Sequence, residues 1–193
     1  MMQPSKGRSS KLLKLITLSL MSTISVLLML LDFPLPFIPA FLKVDFSDIP
    51  ALFAALLFSP VAGIVVEGIK NLLHFALGSG DPIGAFANFF AGLLFILPVS
   101  VLYHRYNSVK SMVSGLVTGT VIMAIGMSFL NYFIVLPAYS WLMGFELEGS
   151  KLVYITAGII PFNVVKGLMI GLLFVPLFMK LKPWFDQKRV NVT

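Results

Sequence analysis

Long apolar runs, broken by short polar or proline-rich stretches, set the pattern of this chain. The run over residues 12–31 is the first. At about 1.5 Å per residue it reaches roughly 30 Å, the thickness of a bilayer core, which predicts a spanning helix. It is too long for the apolar part of a signal peptide and has no small-residue cleavage site after it. A proline-punctuated stretch follows, with Pro34, Pro36 and Pro39, then the polar lip Lys43, Asp45 and Asp48. Prolines fix φ near −65° and lack an N–H, so this stretch is expected to be extended and stiff. Further helices are predicted at about 47–59, 60–77, 83–103, 112–136 and 152–180. Their breaks are Ser59-Pro60, the turn at 78–82, the basic link at 104–110 and a loop from Pro137 to Lys151. Pro98, Pro161 and Pro176 are expected to bend the helices that contain them.

Composition supports that reading and sets its scale. The 193 residues are 58% hydrophobic and only 11% charged, where a soluble domain carries about 25% charged residues. The expectation is one all-α integral membrane domain, residues 1–193, with six transmembrane helices. Without cysteine there is no disulfide or thiol chemistry. The net charge of +6 carries topology and is not the footprint of a nucleic-acid partner. Lys6, Arg8, Lys11, Lys14, Arg105, Lys110, Lys180, Lys182, Lys188 and Arg189 all fall on one side of a six-span arrangement, which puts both termini in the cytoplasm. The proline-rich stretch, the 78–82 turn and the 137–151 loop then gather outside.

Polar residues inside such helices need partners, a cavity or a ligand. Lys166 lies midway along the last helix, sharing a face with Asn163 at i,i+3. It is either satisfied by a carboxylate or carbonyls of another helix, or it is a donor at the floor of a pocket. Asn131 is expected to face the same outer cavity, with Tyr132 turned away. Glu67, Lys70, Asn71 and His74 form a second stripe, read as an internal ion pair, with a proton relay as the alternative. Asp48 or Ser47 is positioned to cap the second helix, and Asp45 to pair with Lys43 or touch a ligand. Phe33, Phe37, Phe41, Phe46, Tyr139 and Trp141 form an interfacial belt or wall a flat ligand. In the first helix Ser19 and Thr23 are four apart, a spacing that allows close helix approach within the bundle or from a partner. No nucleophile motif, metal-spaced His pair or phosphate loop is present, so neither catalysis nor a metal site is expected.

The segment FLKVDFSDIPALFAALLFSPVAGIVVEGIKNLLHF, with Asn88 onward, Asn131-Tyr132-Phe133 with Pro137, and Pro161 to Gly167, resembles the substrate-binding S components of energy-coupling factor (ECF) vitamin importers. The likeness is greatest to the riboflavin-specific branch and runs from about Lys11 to Lys182. It implies six helices and high-affinity capture of riboflavin at the outer face of a prokaryotic plasma membrane. Riboflavin would be the transported substrate, and no cofactor is implied. Uptake would require a transmembrane coupling subunit and two ATPase subunits. The resemblance implies ligand contacts from Ala40, Phe41, Leu42, Lys43, Asp45, Asn131, Asn163 and Lys166. It also implies a coupling-subunit contact on the first helix, at Ser19, Ser22 and Thr23, where these residues replace the family's Ala-x-x-x-Ala patch. Other readings are an S component for thiamine or biotin, a small intramembrane enzyme, or an assembly protein without a ligand. The enzyme would need clustered acids or histidines that the chain lacks, and Lys166 disfavours a cationic vitamin.

Overall fold

A computed structural model describes residues 6–36, 38, 39, 42–145 and 149–190, and the side chains of those between 11 and 183. The chain is a helical bundle with one short hairpin. In order these are α1 (Lys6–Met29), β1 (Phe33–Pro34), β2 (Lys43–Val44), α2 (Asp48–Leu57), α3 (Pro60–Ala76) and α4 (Pro82–Tyr106). Then come α5 (Val109–Leu130), α6 (Leu136–Met143), α7 (Lys151–Val153) and α8 (Ile160–Val190). Four stretches are long and apolar enough to cross a membrane: Lys11–Met29, Pro82–Tyr106, Val109–Met143 and Lys151–Pro183. The protein is an all-α membrane protein.

The two shorter helices sit differently. All ten residues of α2 are buried, so it is apolar all round because it meets protein on every side. A buried helix end leaves carbonyls without partners. Here Ser100 Oγ donates to the Ala55 carbonyl at 3.1 Å, and His104 Nε2 lies 2.8 Å from the same oxygen. Helix α3 starts on Ser59, whose hydroxyl accepts from the Ala62 N–H, with Pro60 in its first turn. Asp81 caps α4 in the same way through the Gly84 N–H. Ser47 makes no side-chain cap, and Asp48 lies in the first turn of α2 with its carboxylate turned inward. The expected capping of α2 by Ser47 or Asp48 is therefore replaced by an internal use of Asp48.

Helices α4 and α5 make the most extensive contact in the bundle. A Cβ on Gly119 would lie 2.5 Å from the Phe95 carbonyl oxygen, and one on Gly115 would lie 2.7 Å from the Val99 Cα. Two glycines four apart let the backbones touch.

The fifth helical stretch does not end at Pro137. It continues to Met143 because a π-turn, Asn131–Val135, precedes the proline. There the Leu136 N–H reaches back five residues to the Asn131 carbonyl. A second π-turn, Tyr154–Ile159, precedes Pro161 in the same way, with the Ile160 N–H on the Ile155 carbonyl. A proline lacks its N–H and presses on the preceding turn. The wider π-turn absorbs both effects without breaking the helix.

Candidate ligand-binding site

At the hairpin end of the bundle, α4, the first π-turn and α8 enclose a cavity of about 100 Å³. Its floor and walls bring together six of the residues singled out in the sequence: Leu42, Lys43, Asn131, Tyr139, Asn163 and Lys166. Asp45 lines an adjoining cavity and lies 3.5 Å from Lys166. Ala40 and Phe41 lie outside the described residues.

Each asparagine stands beside a π-turn. Asn131 Nδ2 donates to its own helix at the Met127 carbonyl, 2.8 Å away, and Asn163 Nδ2 to the Ile159 carbonyl at 2.7 Å. Only the amide nitrogen can make those bonds, so each amide oxygen is left as an acceptor for the cavity. Tyr132, next to Asn131, is turned to the bundle exterior. Lys166 is buried and adds an ammonium donor to the same lining.

Opposite them α4 presents Gly84, Ala87, Asn88 and Ala91. The spacing i, i+3, i+4, i+7 puts these four on one helix face. Three of them are Gly or Ala, so that face is flat, and Asn88 is its one side chain with hydrogen-bonding groups. Phe162 and Tyr139 complete the wall. The arrangement suits a planar heterocycle whose edge offers both donors and acceptors. The sequence reading missed this α4 face and Phe162 as lining; the Gly/Ala/Asn spacing was the available signal.

The charges behind the cavity form one connected group. Lys70 donates to Asp48 and, at 2.9 Å, to Glu67. Lys166 Nζ lies 3.3 Å from Asp48 and 3.5 Å from Asp45. All five side chains are buried. The expected Glu67–Lys70 pair is present, extended to α2 by Asp48. Carboxylates of another segment lie beside Lys166, as one of its two expected roles requires, and the residue also lines the cavity. The expected Lys43–Asp45 pair is not formed. Lys43 instead closes the hairpin through Asp32 at 3.1 Å, because antiparallel pairing sets Lys43 opposite Pro34, close to Asp32. Asp45 Oδ1 accepts from the Ser47 N–H at 2.8 Å, which aims its other oxygen at Lys166.

The aromatic residues divide. Phe33 and Phe46 pack on each other with centroids 6.2 Å apart. Trp141 is 85% exposed, which suits a belt residue. Tyr139 lines the cavity and donates to Asp81 Oδ2 at 2.8 Å. Phe37 lies outside the described residues. On α1, Ser19 and Thr23 face outward, with the Thr23 hydroxyl on the Ser19 carbonyl, while Ser22 is buried and bonds Leu18.

The family profile described as "ECF transporter, substrate-specific component" matches residues 13–178. This chain belongs to that family. It is thus a transporter component and not an enzyme. It is 48% identical over 184 residues to "Riboflavin transporter FmnP" of Bacillus subtilis (strain 168), covering 93% of this chain and 97% of that protein. It is 44% identical over 169 residues to "Riboflavin transporter RibU" of Staphylococcus aureus (strain TCH60), covering 87% and 89%. A solved structure, described as the S component of a bacterial ECF transporter, superposes with a TM-score of 0.80. It is 41% identical and covers 90% of this substrate-specific component and 98% of its own chain.

Proposed function

We propose that this S component captures riboflavin in the cavity between α4, the Asn131–Val135 π-turn and α8, and delivers it through an ECF importer. The observation that carries this reading is the convergence of Asn131, Asn163 and Lys166 opposite the flat α4 face. Two amide acceptors and one ammonium donor match the mixed edge of an isoalloxazine ring, whose flat body fits a wall of Gly and Ala. Leu42 and Lys43 would contact the ring, and Asp45 would hold Lys166 in place. Riboflavin is cargo here, bound without covalent chemistry.

In this reading the chain crosses a prokaryotic cell membrane six times, with α2 and α3 as the short second and third spans. The ten basic residues of the termini and the 104–110 link face the cytoplasm. The cavity then opens to the outside. A transmembrane coupling subunit would dock on α1, where Ser19 and Thr23 offer a small outward face, with Ser22 supporting it from within the bundle. Two ATPase subunits would supply the energy.

The test is the absorption spectrum of protein purified in detergent from cells grown with riboflavin. The expected result is a yellow preparation that releases riboflavin on denaturation. A colourless preparation that also fails to quench added riboflavin fluorescence would overturn the assignment.

A further inference from the structure

In the half of the bundle away from the hairpin, α5 and α8 leave an apolar cleft of about 540 Å³ between them. Val117, Leu168 and Leu172 on its walls are exposed, so it opens to the surroundings of the bundle. Its one polar side chain, Thr120, spends its hydroxyl on the Leu116 carbonyl at 2.8 Å. The cleft therefore offers no hydrogen bond from a side chain. It exists because the two helices touch at one level and part at the next. At Gly167 a Cβ would run into the Thr120 side chain, whereas one on Gly171 would meet nothing closer than Leu116 Cδ1 at 3.9 Å. From Val164 to Pro176 the α8 wall rises about 18 Å, a little more than half of a bilayer core of roughly 30 Å. That is the depth of one leaflet.

A lysine ends each wall, and both stand at the same end. On α5, Lys110 continues the row of Val113, Val117 and Val121 by one turn. On α8, Lys180 continues the row of Leu172 and Pro176 by one turn. Both lysines are exposed and make no ion pair among the described residues. Neither α5 nor α8 as far as Pro183 carries a carboxylate that could neutralise them. Lysine stems lie along apolar surface while their ammonium groups reach the headgroup level. Apolar walls alone would suit a helix of another chain equally well; two uncompensated cations at one end of a leaflet-deep cleft select an anionic headgroup.

We propose that this cleft binds an anionic phospholipid of the leaflet at that end. One acyl chain lies between α5 and α8, and Lys110 and Lys180 hold the headgroup phosphate. The site is independent of what the inner cavity carries.

The experiment is native mass spectrometry of the full chain from detergent micelles containing equal amounts of dioleoylphosphatidylglycerol and dioleoylphosphatidylcholine, with thermal unfolding measured for each variant. The expected result is one retained phosphatidylglycerol, preferred over phosphatidylcholine about tenfold. Lys110→Gln combined with Lys180→Gln should reduce that preference to about twofold or less and leave the unfolding temperature unmoved. The same change at Lys11 and Lys14, on α1, should leave the preference intact. Gly171→Leu, which fills the cleft, should abolish retention of both lipids; if it does not fold, the lysine variants decide. Equal retention of the two lipids by the wild type overturns the site, as does a preference that survives loss of Lys110 and Lys180 or falls as far with Lys11 and Lys14. A Gly171→Leu chain that keeps its lipid but dissociates from a second copy also overturns it, and makes the cleft a helix-docking face.

Discussion

Lys70 and Lys166 are both buried lysines that share the carboxylate of Asp48, yet they are held in different ways. Lys70 is enclosed, with Glu67 one turn away on its own helix and Asp48 from α2. Lys166 has its carboxylates at 3.3 and 3.5 Å and opens onto the cavity. A closed ion pair has satisfied its ammonium and can only support the fold. An ammonium held more loosely, with a void on its other side, keeps capacity for a ligand. The difference lies in which helices surround each lysine: α2 fills the space beside Lys70, whereas the flat α4 face stands back from Lys166.

That contrast breaks most severely at Lys70. Lys70→Met leaves Asp48 and Glu67 buried without their common cation, a loss expected to cost roughly 3–5 kcal/mol. It should appear as a large drop in thermal unfolding temperature in detergent, with binding lost only because the protein unfolds. Lys166→Met removes a charge-assisted donor from the cavity, while Asp48 retains Lys70. Riboflavin affinity should fall roughly ten- to a hundredfold, with a smaller loss of stability than for Lys70→Met. Equal destabilisation by the two variants would erase the distinction. The finest test is Asp45→Asn, which keeps the acceptor for the Ser47 N–H and removes only the looser partner of Lys166. A loss of about 1 kcal/mol or less in binding is expected, read by titration, with unfolding almost unmoved.

Much of this architecture was legible in the apolar pattern. Residues 12–31 announce α1, and the Ser59-Pro60 and Asp81-Pro82 pairs mark starts of α3 and α4 with their caps. Pro137 misled, because a proline reads as a stop wherever the ladder is assumed to keep its i−4 spacing. The π-turn relaxes that spacing, and its stability comes from neighbouring helices that no local window contains. The carboxylates misled for a similar reason. Lys43 and Asp45 are neighbours in sequence, but hairpin pairing turned one to Asp32 and the other to Lys166.

The sequence by itself determined the solvent of this protein, the positions of most helices and the polar residues that needed partners. Those follow from short-range physics: transfer of apolar side chains out of water, the 3.6-residue period and the missing N–H of proline. Only the tertiary structure decided which partner each buried charge took, and that Asn131, Asn163 and Lys166 face a void in place of one another. It also decided that Gly84, Ala87 and Ala91, unremarkable as letters, make the flat wall opposite them. Such outcomes depend on how closely two backbones approach. Between α4 and α5 that distance is set by Gly115 and Gly119 meeting Val99 and Phe95, a property of the pair of helices and of neither alone.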